Sequence, residues 1–450
     1  MSFLPLISIS FCPKAWSVIQ RIPCWKWIHL LWVLALTCQL HAGPTDPEGT
    51  DTEKEPPIWK IHQDPVARLW QSAEEKGQPL EAVSDMAWLT RVLKDLDIPV
   101  DSQVLVFSKT SLQKAHISPA RPRALYFNDE CYIGWVQGGE MEVVAADPEE
   151  GLQYYLIPRP FMKPARPEPV ASDQCLSCHV GGNLQMQSVH TRENGYPIPD
   201  ADHFVTSYES PLAERWGGWY VSGHHGQDLH MGNVLAYKRG GLVRLDRQRG
   251  ANVESLEDWV HTEPYAASTS DIVALMVLEH QYVMHNTLHE AGRSARRVLN
   301  PPPDGPIYEA AAQRRILRKR AREIVERLLF VGEYALQSPV SGSEAFQTAF
   351  KRNQRPDSRG RSLKDFNLQT RLFEHRCSYM IYSGSFQGLP EPLKQAVYAE
   401  LDEVLNGDPA DDEAFAFLPR DERDTIRQIL METDSGAKRY WMMESDQSGE

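Results

Sequence analysis

Positive charge is in short supply along this chain: 47 Lys and Arg stand against 61 Asp and Glu, a formal net charge of -14. That balance excludes a general nucleic-acid binder and favours solubility. No internal repeat is apparent, so a repeat architecture is not expected. Cysteine is sparse, with seven in 450 residues, and only one Cys-x-x-Cys pair occurs. A closed zinc site built from two such pairs is therefore missing half its ligands. The first 42 residues have no Asp or Glu at all.

Those first 42 residues do have Lys14, Arg21 and Lys26, then the apolar run "WIHLLWVLALTCQL" and a small residue at Ala42. This order is that of a secretory signal, and residues 1–42 are expected to be a signal peptide or, if uncut, an N-terminal anchor. The run is short for a membrane span. Thr37 before Cys38 fits a lipidation site poorly. Cleavage would also remove Cys12, Cys24 and Cys38, leaving Cys131, Cys175, Cys178 and Cys377 in an oxidising compartment. Whether Cys131 and Cys377 pair depends on a distance that the sequence does not contain. Residues 43–57, "GPTDPEGTDTEKEPP", form a polar, Pro-rich linker expected to be disordered.

The length predicts two or three packed units. Residues 58–170 carry helical patterns at "DPVARLWQSAEEKG" and "DMAWLTRVLKDLDI", then the strand-like runs "QVLVFS", "RALYFND", "CYIGWVQ", "EMEVVAAD" and "LQYYLIP". Asn-Asp, Gly-Gly and Asp-Pro signals between these runs predict antiparallel hairpins. Residues 171–253 hold the cysteine pair and the Gly- and aromatic-rich runs "RWGGWYVSG", "NVLAYK" and "GLVRLDR". From 254 to 435 helices are expected at 254–262, 269–298, 307–337, 342–353, 366–382, 391–406 and 419–433, with 436–450 as a tail. The fold class predicted is α+β: an antiparallel, β-rich N-terminal half and a mainly α-helical C-terminal half, enclosing a c-type haem site.

The haem expectation rests on "DQCLSCHVGGN", residues 173–183. Cysteines two residues apart can add across the two vinyl groups of a haem, and a histidine directly after the second reaches the iron. Cys175 and Cys178 are thus the candidate covalent attachment points of one haem c, and His179 the proximal iron ligand. Zinc would need two further ligands, and no second Cys-x-x-Cys exists while His190 stands alone in its neighbourhood. A thioredoxin-like thiol pair would need the first cysteine at a helix start in a βα context; here the preceding segment is Pro-rich, and Gly181 and Gly182 follow at once. Export suits covalent haem attachment.

The iron's other face decides between electron transfer and chemistry, because a strong sixth ligand saturates the metal. The stretch "WGGWYVSGHHGQDLHMGN" offers His225, His230 and Met231, bracketed by glycines that permit close approach to a flat cofactor. Met186 and His190 are closer to the motif, and their short tethers count against their crossing the haem plane. His280 is a fourth candidate, from the near-uniformly apolar helix "SDIVALMVLEHQYVMHNTLHE", where Glu279 and His280 need buried partners. A satisfied core histidine is an equally open reading of His280. His285 and His289, four apart, resemble a metal half-site without a third ligand, and exposed helix positions suit them better. The arginine-rich helix around 314–322 reads as a solvated face with i,i+4 glutamate support, or as a docking face for an acidic redox partner.

The chain resembles a family of exported, single-haem bacterial proteins described as cytochrome c domain-containing. The resemblance is carried by "LVFSKTSLQKAHISPARPRALYFNDECYIGWVQGG", "CLSCH", "ERWGGWYVSGHHGQDLHMGN", "DIVALMVLEHQYVMHN" and "RCSYMIYSGSFQGLP", between about residues 100 and 390. It implies c-type haem binding through Cys175, Cys178 and His179, and electron transfer with a redox partner protein. Cys131 departs from the small apolar residue expected in its stretch. The expected function is an exported, periplasmic monohaem electron carrier; the alternative is a haem oxidoreductase or peroxidase-like enzyme with an open distal site. Membrane association would follow only from an uncut leader.

Overall fold

A computed structural model describes residues 57–78, 80, 82–159, 168–171 and 173–447. The leader and nearly all of the expected linker lie outside the described residues. Helices α1 (Pro65–Glu75) and α2 (Asp85–Asp95) come first. Asp64 accepts from the amides of Val66 and Ala67 and Pro65 opens α1, while Ser84 accepts from the amide of Ala87 to start α2. Strands β1 (Val104–Val106), β2 (Arg123–Phe127), β3 (Cys131–Trp135), β4 (Met141–Asp147), β5 (Gly151–Ile157) and β6 (Val170–Ala171) follow, then the short helix α3 (Asp173–Cys178). Strands β7 (Met186–Val189), β8 (His203–Thr206), β9 (Trp219–Tyr220), β10 (Tyr237–Arg239) and β11 (Leu242–Arg244) complete the β-containing part.

One seven-stranded antiparallel sheet, in the order β6-β5-β4-β3-β2-β1-β9, organises the first half. Side-chain turns set its hairpins. The Asn128 carboxamide oxygen accepts from the amides of Glu130 and Cys131 between β2 and β3. Asp147 does the same for Glu149 and Glu150 between β4 and β5. The period of two divides the sheet's residues between two cores. Leu105, Tyr126, Cys131, Ile133, Val143 and Tyr155 pack with Trp70, Trp88, Leu89 and Val92 of the first two helices. Val104, Val106, Phe127 and Tyr132 turn to the opposite face and join the larger core around the C-terminal helices.

Those helices are α4 (Ile272–Leu299), α5 (Ala310–Leu328), α6 (Glu344–Phe350), α7 (Gly384–Gln387), α8 (Glu391–Asn406), α9 (Arg420–Thr433) and α10 (Ser435–Gln447). Helix α4 is capped by Asp271 and buried on most of its circumference, as expected for a helix apolar nearly all round. The antiparallel sheet in the first half and the helices in the second are as the sequence implies. The described residues fall in one compact unit. Cys131 and Cys377 are free buried thiols, one in each core, and form no disulfide.

Three expectations fail for physical reasons. Residues 254–262 form turns, because so short a segment, stopped by Pro264, gains little from helix nucleation. Residues 366–382 are irregular apart from a 3-10 turn at Tyr379–Tyr382. There Asn367 accepts from the amides of Gln369 and Thr370, and Phe366, Phe373 and Tyr379 pack with Phe350. Aromatic packing outweighs helix propensity in that stretch. The expected tail is instead α10, held by buried Ala437 and by Trp441, whose indole donates to the Tyr398 carbonyl at 2.9 Å. No described helix is long and apolar enough to cross a membrane.

Candidate cofactor cleft

Helix α3 is short: Cys175 lies in its first turn and Cys178 is its last residue. Cys175 is buried with Ala146, Leu152 and Tyr154 against the sheet. His179 has already left helical geometry (φ -101, ψ 65), and Gly181 and Gly182 turn the chain with φ of 73 and 80. Only glycine takes two such values in succession cheaply. Helix α4 then clamps the returning loop. Asn286 accepts from the Leu184 amide and donates to the Leu184 carbonyl, both at 2.8 Å, while Asn183 donates to Glu290 at 2.6 Å. Tyr154 donates to the Gly182 carbonyl at 2.9 Å.

This clamp fixes His179. Its Nδ1 lies 2.9 Å from the Asn183 carbonyl. A carbonyl only accepts, so the proton sits on Nδ1 and Nε2 keeps its lone pair. The ring is half-buried with its centroid 5.1 Å from that of Tyr154, and burial lowers its pKa, which keeps it neutral. A metal-binding histidine needs both conditions, the outer nitrogen tied to a carbonyl and the inner one unprotonated.

His179 and Cys175 line a cleft of about 150 Å³ that opens to solvent. Its floor is the α4-facing side of the sheet, read across the register. One row is Tyr132, Val144 and Tyr154; the next is Leu125, Gly134 and Glu142. Gly134 leaves room for the Arg123 guanidinium, which a Cβ there would push aside. Arg123 crosses the strand to Glu142 at 2.5 Å, leaving its buried Nε without a partner. Met186, Trp219, Leu278 and Tyr282 form the other walls. The donor set fits a haem c: a neutral imidazole, a buried cysteine beside it, apolar walls and an unpaired guanidinium N–H.

The four distal candidates are elsewhere. His225 has both ring nitrogens engaged: the Asn252 amide donates to Nε2 at 2.9 Å, and Nδ1 donates to the Asp228 carbonyl at 3.0 Å. Its loop is seated at the start of α4, where a Cβ on Gly223 would meet Ile272 at 2.5 Å. The motif loop docks at Asn286, which the helical rise places about 21 Å further along. His230 accepts from the Gly232 amide through Nδ1 and packs against His225 and Trp216. Met231 is fully buried beside Ser188. His280 bonds Ser378 through Nε2 at 2.7 Å and stacks on Phe330 at 4.2 Å, a core histidine whose buried Nδ1 has no hydrogen-bond partner. None of the four lines the His179 cleft. Met186 does.

Glu279 pairs with Arg215 at 2.7 Å and accepts from Thr206 at 2.9 Å; burial pushes its carboxyl up to about 7 against the pull of Arg215. His285 and His289 are not exposed as their spacing suggests. His285 is buried, 2.6 Å from the Tyr132 hydroxyl, and His289 packs over Gly151 and Gly182. In α5, Arg322 joins Glu326, Glu400 and Asp412, whereas Arg314, Arg315 and Arg318 are exposed. Among the described residues no three His, Cys, Asp or Glu side chains gather as metal ligands.

No protein-family model matches the chain, and neither a curated protein nor a solved structure does.

Proposed function

We propose that this chain is a c-type cytochrome that binds one haem covalently through Cys175 and Cys178, with His179 as proximal iron ligand, and passes electrons to a redox partner protein outside the cytoplasm. The observation that carries the reading is the placement of His179. Its Nδ1 is tied to the Asn183 carbonyl on a ring that lines an apolar-walled cleft next to Cys175, so Nε2 is the nitrogen left for a metal. The haem, when bound, would supply a one-electron iron couple. The chain's own part is orientation and shelter. The Asn286 and Glu290 clamp holds the imidazole in place, the Tyr132, Val144 and Leu125 rows exclude water from one side, and Arg123 offers its unpaired N–H to an anionic substituent.

The test is covalent loading. Full-length protein made together with c-type haem maturation machinery is extracted with acid-acetone, and the haem should stay with the polypeptide. Cys175→Ser/Cys178→Ser protein should release all of it. Retention of haem by the double variant would sink the proposal. An electrode titration should then show one reversible one-electron wave in the wild type; turnover of peroxide at the iron would favour the enzyme reading instead.

A further inference from the structure

We propose that the hairpin of β10 and β11 binds the surface of an anionic membrane, a means of association separate from the leader and independent of the haem reading. The two strands pair only with each other, across a two-residue Gly240-Gly241 turn whose φ values of 59 and 78 suit glycine. Tyr237 lies opposite Arg244, and Arg239 opposite Leu242. Residues directly opposite, like residues two apart, share one side of such a ribbon, so these four form one face. All four are exposed, Tyr237 at 54% and Leu242 at 58%. Nothing among the described residues covers this alternation of apolar and guanidinium groups.

Charge decides the occupant. Residues 238–249 hold Lys238, Arg239, Arg244, Arg247 and Arg249 against Asp246 alone, in a chain whose net charge is -14. Asp246 is used locally, accepting from the Arg249 amide at 3.3 Å. Among the described residues Lys238 reaches Asp200 at 4.0 Å, and no carboxylate pairs with Arg239 or Arg244. On α5, by contrast, Glu323 and Glu326 stand beside Arg320 and Arg322. Unpaired guanidinium groups on an acidic protein attract an anionic surface. Size favours a bilayer over an acidic protein. Four side chains on three-residue strands fall well short of the roughly 800 Å² that each partner of a stable protein complex buries, whereas lipid headgroups need no matching shape. Tyr237 and Leu242 then enter the headgroup region while Arg239 and Arg244 stay with the phosphates.

The measurement is co-sedimentation of full-length protein with phosphatidylcholine vesicles, with and without phosphatidylglycerol, at low and at high salt. Phosphatidylglycerol should raise the bound fraction of wild type, and high salt should reverse the rise. Arg239→Glu/Arg244→Glu should lower partition onto the anionic vesicles by at least about tenfold. Tyr237→Ser/Leu242→Ser should lower it less and keep the salt dependence. Arg314→Glu/Arg315→Glu, the same change of charge at exposed sites on α5, should bind like wild type. Every variant has the same leader and, with its changes at exposed positions, should keep the wild-type urea midpoint, so the differences belong to the hairpin. The proposal is overturned if phosphatidylglycerol fails to raise wild-type binding, if the hairpin charge reversal binds like wild type, or if the α5 variant loses as much. Hairpin-dependent retention on immobilised polyglutamate without vesicle binding would also overturn it, and would point to an acidic protein.

Discussion

Helix α4 has a histidine-bearing loop near each end, and the two loops use the same side chain in opposite ways. At the first turn, the loop containing His225 and His230 is seated on Ile272. Further along, the loop containing His179 is clamped by Asn286 and Glu290. The first loop has more histidines, two flanking glycines and a methionine, all of which read as metal-site features. Yet Asn252 and Asp228 take both nitrogens of His225, and His225, His230 and Met231 are all buried, while His224 and Gln227 face solvent. The second loop has one histidine, with one nitrogen tied to a backbone carbonyl and the ring on an open cleft. Ligand capacity depends on what the outer nitrogen is doing and on what the ring faces; the number of histidines nearby decides neither.

The largest expected effect breaks the comparison directly. His179→Gln should keep haem covalently attached yet remove the imidazole from the iron, changing the reduced absorption spectrum and the potential. His225→Gln should leave both unaltered. If the two variants exchanged behaviours, the functional and structural loops would have been assigned the wrong way round.

Next in size is acid sensitivity, which all the buried histidines should share and His179 need not dominate. Burial lowers the pKa of His280 and His285 to about 3, and His230 also lies well below its ordinary value. A histidine depressed in the folded state takes up its proton earlier in the unfolded state. Stability is therefore fully present above pH about 6.5 and is lost as pH falls toward the folded value. Each such group contributes a slope of about 1.4 kcal/mol per pH unit across that window. Urea midpoints measured from pH 7 to pH 4 should fall steeply, and His285→Gln should flatten the curve. A flat wild-type curve would contradict the neutral buried state.

A smaller effect concerns Asn252, whose side-chain oxygen accepts from the amides of His225 and Gly226. Asn252→Ala leaves two partly buried donors unpaired and should cost about 1–3 kcal/mol in denaturant unfolding. The haem spectrum should not move. A spectral change on this substitution would mean that the His225 loop senses the cofactor after all.

What was legible follows the range of the contacts involved. The hairpin strands, α1, α2 and the apolar α4 show in the sequence because period and turn chemistry are local. The motif is legible for the same reason, since the proposed attachment points and proximal ligand lie within five residues. The cleft is not, because Tyr132, Val144 and Tyr154 become neighbours only through the pairing of three strands. The His225 loop misleads because its glycines do mark close approach, but to Ile272 and Ser341. His289 reads as exposed because nothing local announces that Gly182 will pack on it.

The finest test of the comparison is Asn286, the clamp beneath the functional loop. Its carboxamide makes two hydrogen bonds to the backbone of Leu184, and both Asn286 and Leu184 are only partly buried. In Asn286→Ala, water can reach the freed amide and carbonyl, so global stability should fall by only about 1 kcal/mol. Local opening should respond far more, because the loop between Gly182 and Met186 would then be held chiefly by Asn183 and Tyr154. Amide hydrogen exchange at Leu184 should speed up well beyond the exchange of core amides such as Ile133. Asn286→Asp sharpens the result, since it keeps an acceptor for the Leu184 amide and removes the donor to its carbonyl. Its exchange rate should fall between those of wild type and alanine. Equal protection in all three proteins would show that α4 does not fix the loop, and that the orientation of His179 arises within residues 179–183 themselves.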